Sequence, residues 1–187
     1  ARAIAVTDQS EGFFIENTIH NNTENGVYVD YNSEPTIERN NIHGNGGHGI
    51  YVDGDPNGLT ECIIVGAGAR VQDNHIHHNE ETGIYIAWHA HCEGNTIDDN
   101  TVGVMVDCGY PHFRNNFVRN SKHAGLFIKG SGVVREDPEG SFEDNEISNN
   151  GAAGILLTQE ANPPIYGNRI FANVGCGVLV SGARGSI

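Results

Sequence analysis

Three histidines occupy equivalent positions in successive copies of a repeated segment. His20, His43 and His77 each follow an isoleucine directly and an asparagine by three residues. Imidazoles that stack closely resist simultaneous protonation, and their neutral nitrogens are common ligands of transition metals. The row is therefore a candidate transition-metal site or pH sensor. The alternative is a solvated polar face that tolerates histidine.

A second row combines aromatic and apolar side chains with an acidic row beside it. The first row contains Tyr28, Tyr51, Tyr85, Met105, Phe127, Leu156 and Leu179. Two residues later in each copy stand Asp30, Asp53, Ala87, Asp107, Lys129, Thr158 and Ser181. An outward apolar stripe usually marks a contact surface, which predicts a protein partner or a glycan whose sugar rings stack on the tyrosines. Loops of the chain that fold over the stripe are the alternative. The candidate binding residues are Tyr28, Asp30, Tyr51, Asp53, Tyr85 and Phe127.

The segment DGDPNG at 53–58 matches the opening of a calcium-binding loop. Asp53, Asp55 and Asn57 have the spacing of its first three ligands. The closing glutamate is missing, because Ile64 stands at that position, although Glu61 is close enough in sequence to substitute. Calcium is thus a candidate ligand, and an ordinary Asp/Pro/Asn/Gly turn is the alternative.

Half of the ten basic residues fall in one stretch, namely Arg114, Arg119, Lys122, Lys129 and Arg135. Lyases and epimerases of uronic acids need a cation that neutralises the sugar carboxylate and a base that removes the neighbouring proton. A carboxylate and an imidazole fall beside these cations, around the fourth and fifth coils. The candidate catalytic residues are Asp107, Lys129, Arg119 and His123.

One repeated pattern positions all of these residues. It reads apolar, two residues, Asn, one residue, Ile, two residues, Asn, three residues, Gly, then alternating apolar positions. The first asparagine of each copy is Asn17, Asn40, Asn74, Asn95, Asn116, Asn145 or Asn168, although Asn115 competes with Asn116. Copies without insertions are about 20–23 residues long, which suits three short strands and three turns. The pattern predicts an all-β fold, a single-stranded right-handed parallel β-helix of about seven coils.

In such a solenoid the asparagine amides form hydrogen bonds along the axis, and we expect the repeated glycine to supply a turn with positive φ. Residues 1–187 are predicted to form a single domain, a fragment of a longer chain. Insertions at 54–69 and 130–140 follow the same strand of their coils and should emerge on one side. Insertions in repeat proteins commonly map to a binding face.

Composition narrows the choice of partners. The formal net charge of −14 disfavours nucleic acid and anionic membranes, which both bind basic surfaces. No apolar run is long enough to span a bilayer. The four irregularly spaced cysteines favour an intracellular location. Apart from calcium, we expect no cofactor.

The N-x-I-x-x-N…G-[IV]-x-[IV] coils resemble the parallel β-helix proteins of the pectate-lyase-like superfamily. Coils such as SEPTIERNNIHGNGGHGIYVD and ANPPIYGNRIFANVGCGVLV are most similar to the sugar-hydrolase-type β-helix of F-box proteins, which implies recognition of a protein substrate. GGHGIYVDG, around His48, resembles the glycine-flanked histidine of polygalacturonases, but their paired-aspartate and Arg-x-Lys motifs are absent. The arginine signature of pectate lyases and the Asp-Pro-His-Asp signature of alginate epimerases are absent too.

Two functions follow as hypotheses. The first is a non-catalytic recognition or scaffolding β-helix that binds a protein partner through its Tyr/Asp face and the two insertions. The alternative is a carbohydrate-active enzyme (lyase, hydrolase or epimerase) or a binder that acts on acidic polysaccharide. The superfamily contains both kinds of protein, so the fold does not separate them.

Overall fold

The computed structural model describes residues 1–30, 32–54, 68–107, 109–130 and 140–183. In these residues the regular elements are strands that wind into three parallel sheets. Two of the sheets have seven strands each, which confirms the prediction of a parallel β-helix of about seven coils. The insertions predicted at 54–69 and 130–140 fall mostly outside the described residues.

Sheet A has eight strands. They are β1 (Ile4–Val6), β4 (Val27–Val29), β7 (Ile50–Val52), β10 (Thr82–Ile86), β13 (Val102–Asp107), β16 (Leu126–Lys129), β19 (Ile155–Thr158) and β22 (Val178–Ser181). Sheet B consists of β2 (Glu11–Ile15), β5 (Glu34–Glu38), β8 (Ala69–Gln72), β11 (Ala90–Glu93), β14 (His112–Arg114), β17 (Ser141–Glu143) and β20 (Ile165–Tyr166). Sheet C consists of β3 (Thr18–His20), β6 (Asn41–His43), β9 (His75–His77), β12 (Thr96–Asp98), β15 (Phe117–Arg119), β18 (Glu146–Ser148) and β21 (Arg169–Phe171).

The core lies inside the coil because alternate strand residues point inward. In sheet C the inward row passes through Ile42, Ile76, Ile97, Val118 and Ile147, all of them fully buried. Sheet A contributes a parallel row of valines, isoleucines and leucines, and sheet B adds the two large rings of Phe113 and Phe142. β-Branched residues suit this pleated, buried surface, which explains their abundance at the inward positions. The same alternation fixes which side chains face outward.

An asparagine ladder connects sheets B and C. The backbone N–H and Nδ2 of Asn74 both donate to Oδ1 of Asn95, at 3.0 Å each, and Asn95 donates in the same way to Asn116 at 2.9 Å. The pattern extends from Asn17 to Asn168. Asn116 rather than Asn115 belongs to the ladder, which resolves the ambiguity in the fifth coil. Each buried amide thus has partners in adjacent coils.

The repeated glycine has a different role from the one predicted. The left-handed backbone is adopted by the residue before each ladder asparagine, for example Arg39 (φ 52°) and Asp73 (φ 53°). Gly49 and Gly83 are instead required by close packing. A Cβ on Gly49 would lie 2.6 Å from the carbonyl oxygen of Gly83 in the next coil. Neither of these glycines has a positive φ, so the expectation of a positive-φ turn was wrong. Glycine is needed because adjacent coils lie too close together here for any side chain.

A second asparagine ladder, between sheets C and A, is interrupted at Ser121. Asn79 donates through Nδ2 to Asn100 at 3.0 Å, and Asn150 donates to Asn173 at 2.9 Å. Ser121 stands between these pairs, and its buried Oγ has no hydrogen-bond partner.

Ser121→Asn should therefore stabilise the protein. The amide would restore hydrogen bonds to both neighbouring coils, and each is worth about 1 kcal/mol, which corresponds to a rise in Tm of about 2–4 °C per bond. Thermal unfolding followed by circular dichroism measures the change. Ser10→Asn, at an exposed turn, should leave Tm unchanged. A Tm of Ser121→Asn at or below that of the wild type would contradict this role of the ladder.

Candidate functional site

The outer face of sheet A carries the predicted aromatic row in the predicted register. Tyr28 pairs with Tyr51 and Tyr51 with Tyr85 in adjacent strands. The row continues through Met105, Phe127, Leu156 and Leu179. The companion row also pairs as expected, with Asp107 opposite Lys129. We call this surface the sheet A face.

The tyrosine rings stack on one another along the solenoid axis. The ring centroids of Tyr51 and Tyr85 are 4.7 Å apart at an interplanar angle of 4°, and those of Tyr28 and Tyr51 are 5.7 Å apart at 15°. The guanidinium carbon of Arg2 lies 3.8 Å from the centroid of Tyr28. These contacts cover the ring faces, so a ligand meets ring edges and hydroxyl groups. The predicted stacking of sugar rings on the tyrosines does not fit this arrangement.

Carboxylates bind the tyrosine hydroxyls. Asp53 accepts hydrogen bonds from Tyr28 at 2.6 Å and from Tyr51 at 3.3 Å. Asp107 accepts one from Tyr85 at 3.0 Å. The face therefore presents alternating phenol and carboxylate groups rather than an apolar stripe in this half.

On the sheet A face, Tyr85, Asp107 and Lys129 come together. Nζ of Lys129 lies 3.3 Å from Oδ2 of Asp107, the same oxygen that binds Tyr85. The ammonium group also lies 5.5 Å from the ring centroid of Phe127. A phenol, a carboxylate and a cation thus meet at one point on three adjacent strands. Asp30, by contrast, is held by Ser33 and by the backbone N–H of Asp8.

Burial, followed by the hydrogen bond to Asp53, raises the pKa of Tyr28 from its ordinary value of 10.0 to about 12. Burial, followed by the negative charge of Asp53, also raises the pKa of Tyr51. Because the folded-state pKa lies above the unfolded one, the stability from Tyr28 is complete below pH 10 and is lost as the pH rises to about 12.

Asp53→Asn should lower the pKa of Tyr28 towards its ordinary value, because the substitution removes a charged acceptor. Burial, the larger cause, should keep it above that value. Titration of the tyrosinate absorbance, with Tyr28→Phe as the subtraction reference, measures the shift. Asp30→Asn is the control and should lower the pKa of Tyr28 less, since the charge of Asp30 raises that pKa less than Asp53 does. Equal shifts in the two variants would contradict the assignment.

His48 joins the sheet A face, although the sequence analysis did not include it among the candidate site residues. Its ring centroid lies 5.3 Å from that of Tyr51 and 5.1 Å from that of Tyr85. Nδ1 accepts a hydrogen bond from the backbone of Thr82 at 3.3 Å, and Nε2 lies 3.0 Å from Oε2 of Glu81. Burial lowers the pKa of His48, against the opposing charge of Glu81. His48 is thus a neutral imidazole that supports the tyrosine stack.

The four candidate catalytic residues do not form one group. Asp107 and Lys129 meet on the sheet A face. Arg119 lies on sheet C and pairs with Asp98 at 3.3 Å, so it belongs to another side of the solenoid. His123 is exposed in the turn between the two sheets. The predicted convergence is therefore limited to two of the four residues, because strand position and not sequence distance decides which face a side chain joins.

The predicted histidine row also forms. The rings of His20 and His43 stack with centroids 5.1 Å apart, and those of His43 and His77 with centroids 4.8 Å apart. Burial and neighbouring imidazoles lower the pKa of both His43 and His77. In the described part of the chain, however, the group whose ligand atoms lie within 4.8 Å of one another consists of His75, His77 and Asp98.

The predicted calcium loop lies largely outside the described residues. Asp55 and Asn57 belong to the undescribed stretch, so their part of the prediction stays a prediction. Asp53 is described, and its carboxylate accepts from two tyrosine hydroxyls and from the N–H of Gly54 at 2.9 Å.

Sheet B carries a cleft of about 330 Å³ that the sequence analysis missed. His91 and His112 stack there with centroids 5.0 Å apart, and Arg114 pairs with Glu93 at 2.9 Å. Hydrogen bonds from serine and tyrosine hydroxyls lower the pKa of Glu143 at its edge. Reading the outward positions of sheet B in the same way as those of sheets A and C would have found this row.

The fold and its outward rows define a right-handed parallel β-helix protein. The chain belongs to the family described as the right handed beta helix region, whose model matches residues 1–118 and 88–187. No curated protein sequence matches the chain. Within the described residues, no helix has the length and apolar character needed to cross a membrane.

Two solved structures are similar to the chain over 100% of its length. One is the A-module of the mannuronan C-5 epimerase AlgE4 from Azotobacter vinelandii, with a TM-score of 0.62, 15% sequence identity and 56% of that chain covered. The other is the A-module of the mannuronan C-5 epimerase AlgE6 from the same organism, with a TM-score of 0.54, 15% identity and 57% covered. The chain therefore spans a little over half the length of these modules. At this identity the likeness establishes the fold alone.

Proposed function

We propose that the protein acts on an acidic polysaccharide, which it binds on the sheet A face. The observation that carries the proposal is the meeting of Tyr85, Asp107 and Lys129 within 3.0–3.3 Å. A uronic acid residue presents a carboxylate and, on the neighbouring carbon, a proton that becomes acidic when the carboxylate is neutralised. The three side chains supply the groups that this chemistry requires.

Each residue of the trio has a defined task in this proposal. Lys129 neutralises the sugar carboxylate. Tyr85 gives its phenol proton to Asp107 and its oxygen takes the proton from the neighbouring carbon. A solvent proton then adds to that carbon, and Asp107 returns its proton to solvent. Asp107 also orients Lys129 and Tyr85, since one of its oxygens binds the phenol and the ammonium group. Tyr28 and Tyr51 extend the face and offer hydroxyl groups and ring edges to further sugar units.

The two similar structures are named as mannuronan C-5 epimerases, so this fold is compatible with a polyuronate substrate. Their low identity and partial coverage leave the residue assignment to the geometry of this chain. The alginate-epimerase signature is absent from the sequence. The roles proposed for Tyr85, Asp107 and Lys129 therefore rest on the contacts within this chain and not on a family motif.

Net charge restricts how the polymer is held. The chain carries a formal charge of −14, which repels a polyanion at long range. The carboxylate must therefore be recognised through a local contact, and Lys129 is the lysine on the sheet A face. Calcium, bound by the segment around Asp53, would add a second positive charge on the same side; this stays part of the proposal.

Isothermal titration with oligomannuronate and with a neutral oligosaccharide of equal length tests the binding step. The acidic oligomer should bind and the neutral one should not. Lys129→Ala should weaken binding at least tenfold, because about 1.5–3 kcal/mol is typical of a charged hydrogen bond. Lys122→Ala, which removes an exposed turn lysine, should leave the affinity unchanged. Equal affinity for the neutral oligomer would contradict the proposal.

The apolar half of the row supports a second candidate. Beyond Phe127 the outward residues are Leu156 and Leu179, and the side chain of Leu179 is 43% exposed. Such a surface suits a protein partner, and the F-box resemblance of the coils points the same way. Neither the family match nor the two similar structures involves an F-box protein, so this role stays a prediction from the sequence.

A further inference from the structure

His75 and His77 project from the same face of β9, because alternate residues of a strand point in the same direction. Their ring centroids are 4.1 Å apart at an interplanar angle of 28°. On the adjacent strand β12, Asp98 pairs directly with His77. One ligand atom from each of the three side chains lies within 4.8 Å of the other two. Small rotations of the side chains would bring the three atoms around one ion.

The carboxylate of Asp98 is largely withdrawn from solvent, with its side chain 11% exposed. Oδ1 lies 3.0 Å from Nε2 of His75, and Oδ2 lies 3.3 Å from Nη2 of Arg119. The proton between His75 and Asp98 therefore occupies the position that a metal ion would take. Arg119 pairs with the Asp98 carboxylate, and its half-exposed guanidinium can turn into solvent when a cation enters.

The surroundings of His77 match the second shell of a metal-binding histidine. Oδ1 of Asn41 lies 3.0 Å from Nε2 of His77, and an amide oxygen only accepts, so Nε2 carries the proton. Nδ1 then holds a lone pair. It lies 2.8 Å from Nδ1 of His78, whose N–H donates to it. A ligating histidine commonly donates its other N–H to such an oxygen, which fixes its tautomer and orientation.

We propose that His75, His77 and Asp98 form a binding site for a divalent transition metal of the Zn²⁺ type. Two imidazoles and one carboxylate are a known ligand set for zinc, with a fourth position left to water. The site lies on sheet C and is independent of the sheet A face. It shares His77 with the histidine row predicted from the sequence. The other two members of that row, His20 and His43, stack in line with His77 and add no ligand atom to the group.

Calorimetric titration of the chelator-treated protein with Zn²⁺ tests the site, and circular dichroism verifies the fold of each variant. We expect saturable one-to-one binding that His75→Ala weakens more than about tenfold, an effect at least as large as a second-shell loss. Because His75 is half exposed, this substitution should leave the fold intact. Asn41→Ala should weaken binding by about tenfold through the second shell.

His20→Ala is the matched control, since it removes an exposed histidine from the same sheet and the same stack. It should leave zinc affinity unchanged. Equal losses of zinc affinity in His20→Ala and His75→Ala would indicate that the metal binds to the stacked row of His20, His43 and His77, and would overturn the proposal. Absence of saturable binding in the wild type would overturn it as well.

Discussion

Asn95→Leu should lower the free energy of unfolding by about 3 kcal/mol or more, because it removes a fully buried amide from the centre of the ladder. Oδ1 of Asn95 accepts from the backbone and side chain of Asn74, and Nδ2 donates to the carbonyl of Val71 and to Asn116. Leucine can replace none of these bonds. Several buried groups would lose their partners at about 1–3 kcal/mol each. Urea unfolding measures the loss.

Asn17→Leu supplies the matched control. Asn17 belongs to the same ladder but is exposed, so water can replace its lost hydrogen bonds. We expect its substitution to cost about 1 kcal/mol or less. Equal losses in the two variants would show that the ladder does not stabilise the solenoid through its buried hydrogen bonds.

Tyr85→Phe should reduce turnover of a uronate polymer by about 10²–10⁴-fold, the range that one acid–base group contributes. The substitution removes only the hydroxyl that binds Asp107 and keeps the ring stacked on Tyr51. Affinity for the polymer should therefore change little, since Lys129 still binds the carboxylate. The release of unsaturated or epimerised products over time measures the rate.

Tyr28→Phe is the control for this experiment. Tyr28 belongs to the same row and also donates to a carboxylate, but its partner is Asp53, and the cation beside it, Arg2, lies over its ring face. Turnover in Tyr28→Phe should be close to that of the wild type. If both variants lost turnover equally, the tyrosine row as a whole rather than Tyr85 would be responsible.

The fold and the register of its outward rows could be predicted from the sequence alone. The ladder asparagines define one residue per coil, and strand alternation then assigns every neighbour to the inside or the outside. For this reason Tyr51 opposite Tyr85 and Asp107 opposite Lys129 were predicted correctly. The anchors remain valid where insertions separate two coils, because the ladder bonds join Asn40 to Asn74 across one of them.

What could not be predicted depends on side-chain rotation and on distances between coils. The sequence contains no sign that the tyrosine rings cover one another's faces, which depends on the 4.7 Å spacing of Tyr51 and Tyr85. The role of Gly49 depends on how close the next coil lies, since a Cβ at this position would come within 2.6 Å of the carbonyl oxygen of Gly83. A repeat pattern does not record such distances. Arg119 was grouped with Lys129 by sequence proximity, although the two stand on different sheets.

The most direct test of the account is deuterium incorporation into a uronate polymer in D₂O. Purified protein is incubated with mannuronan or with polygalacturonate, and NMR detects exchange at the carbon next to the carboxylate. The account predicts label at C-5 in the wild type and its loss in Tyr85→Phe and Lys129→Ala, with Lys122→Ala still active. A polymer that neither binds nor takes up deuterium would contradict the claim that the sheet A face acts on acidic polysaccharide.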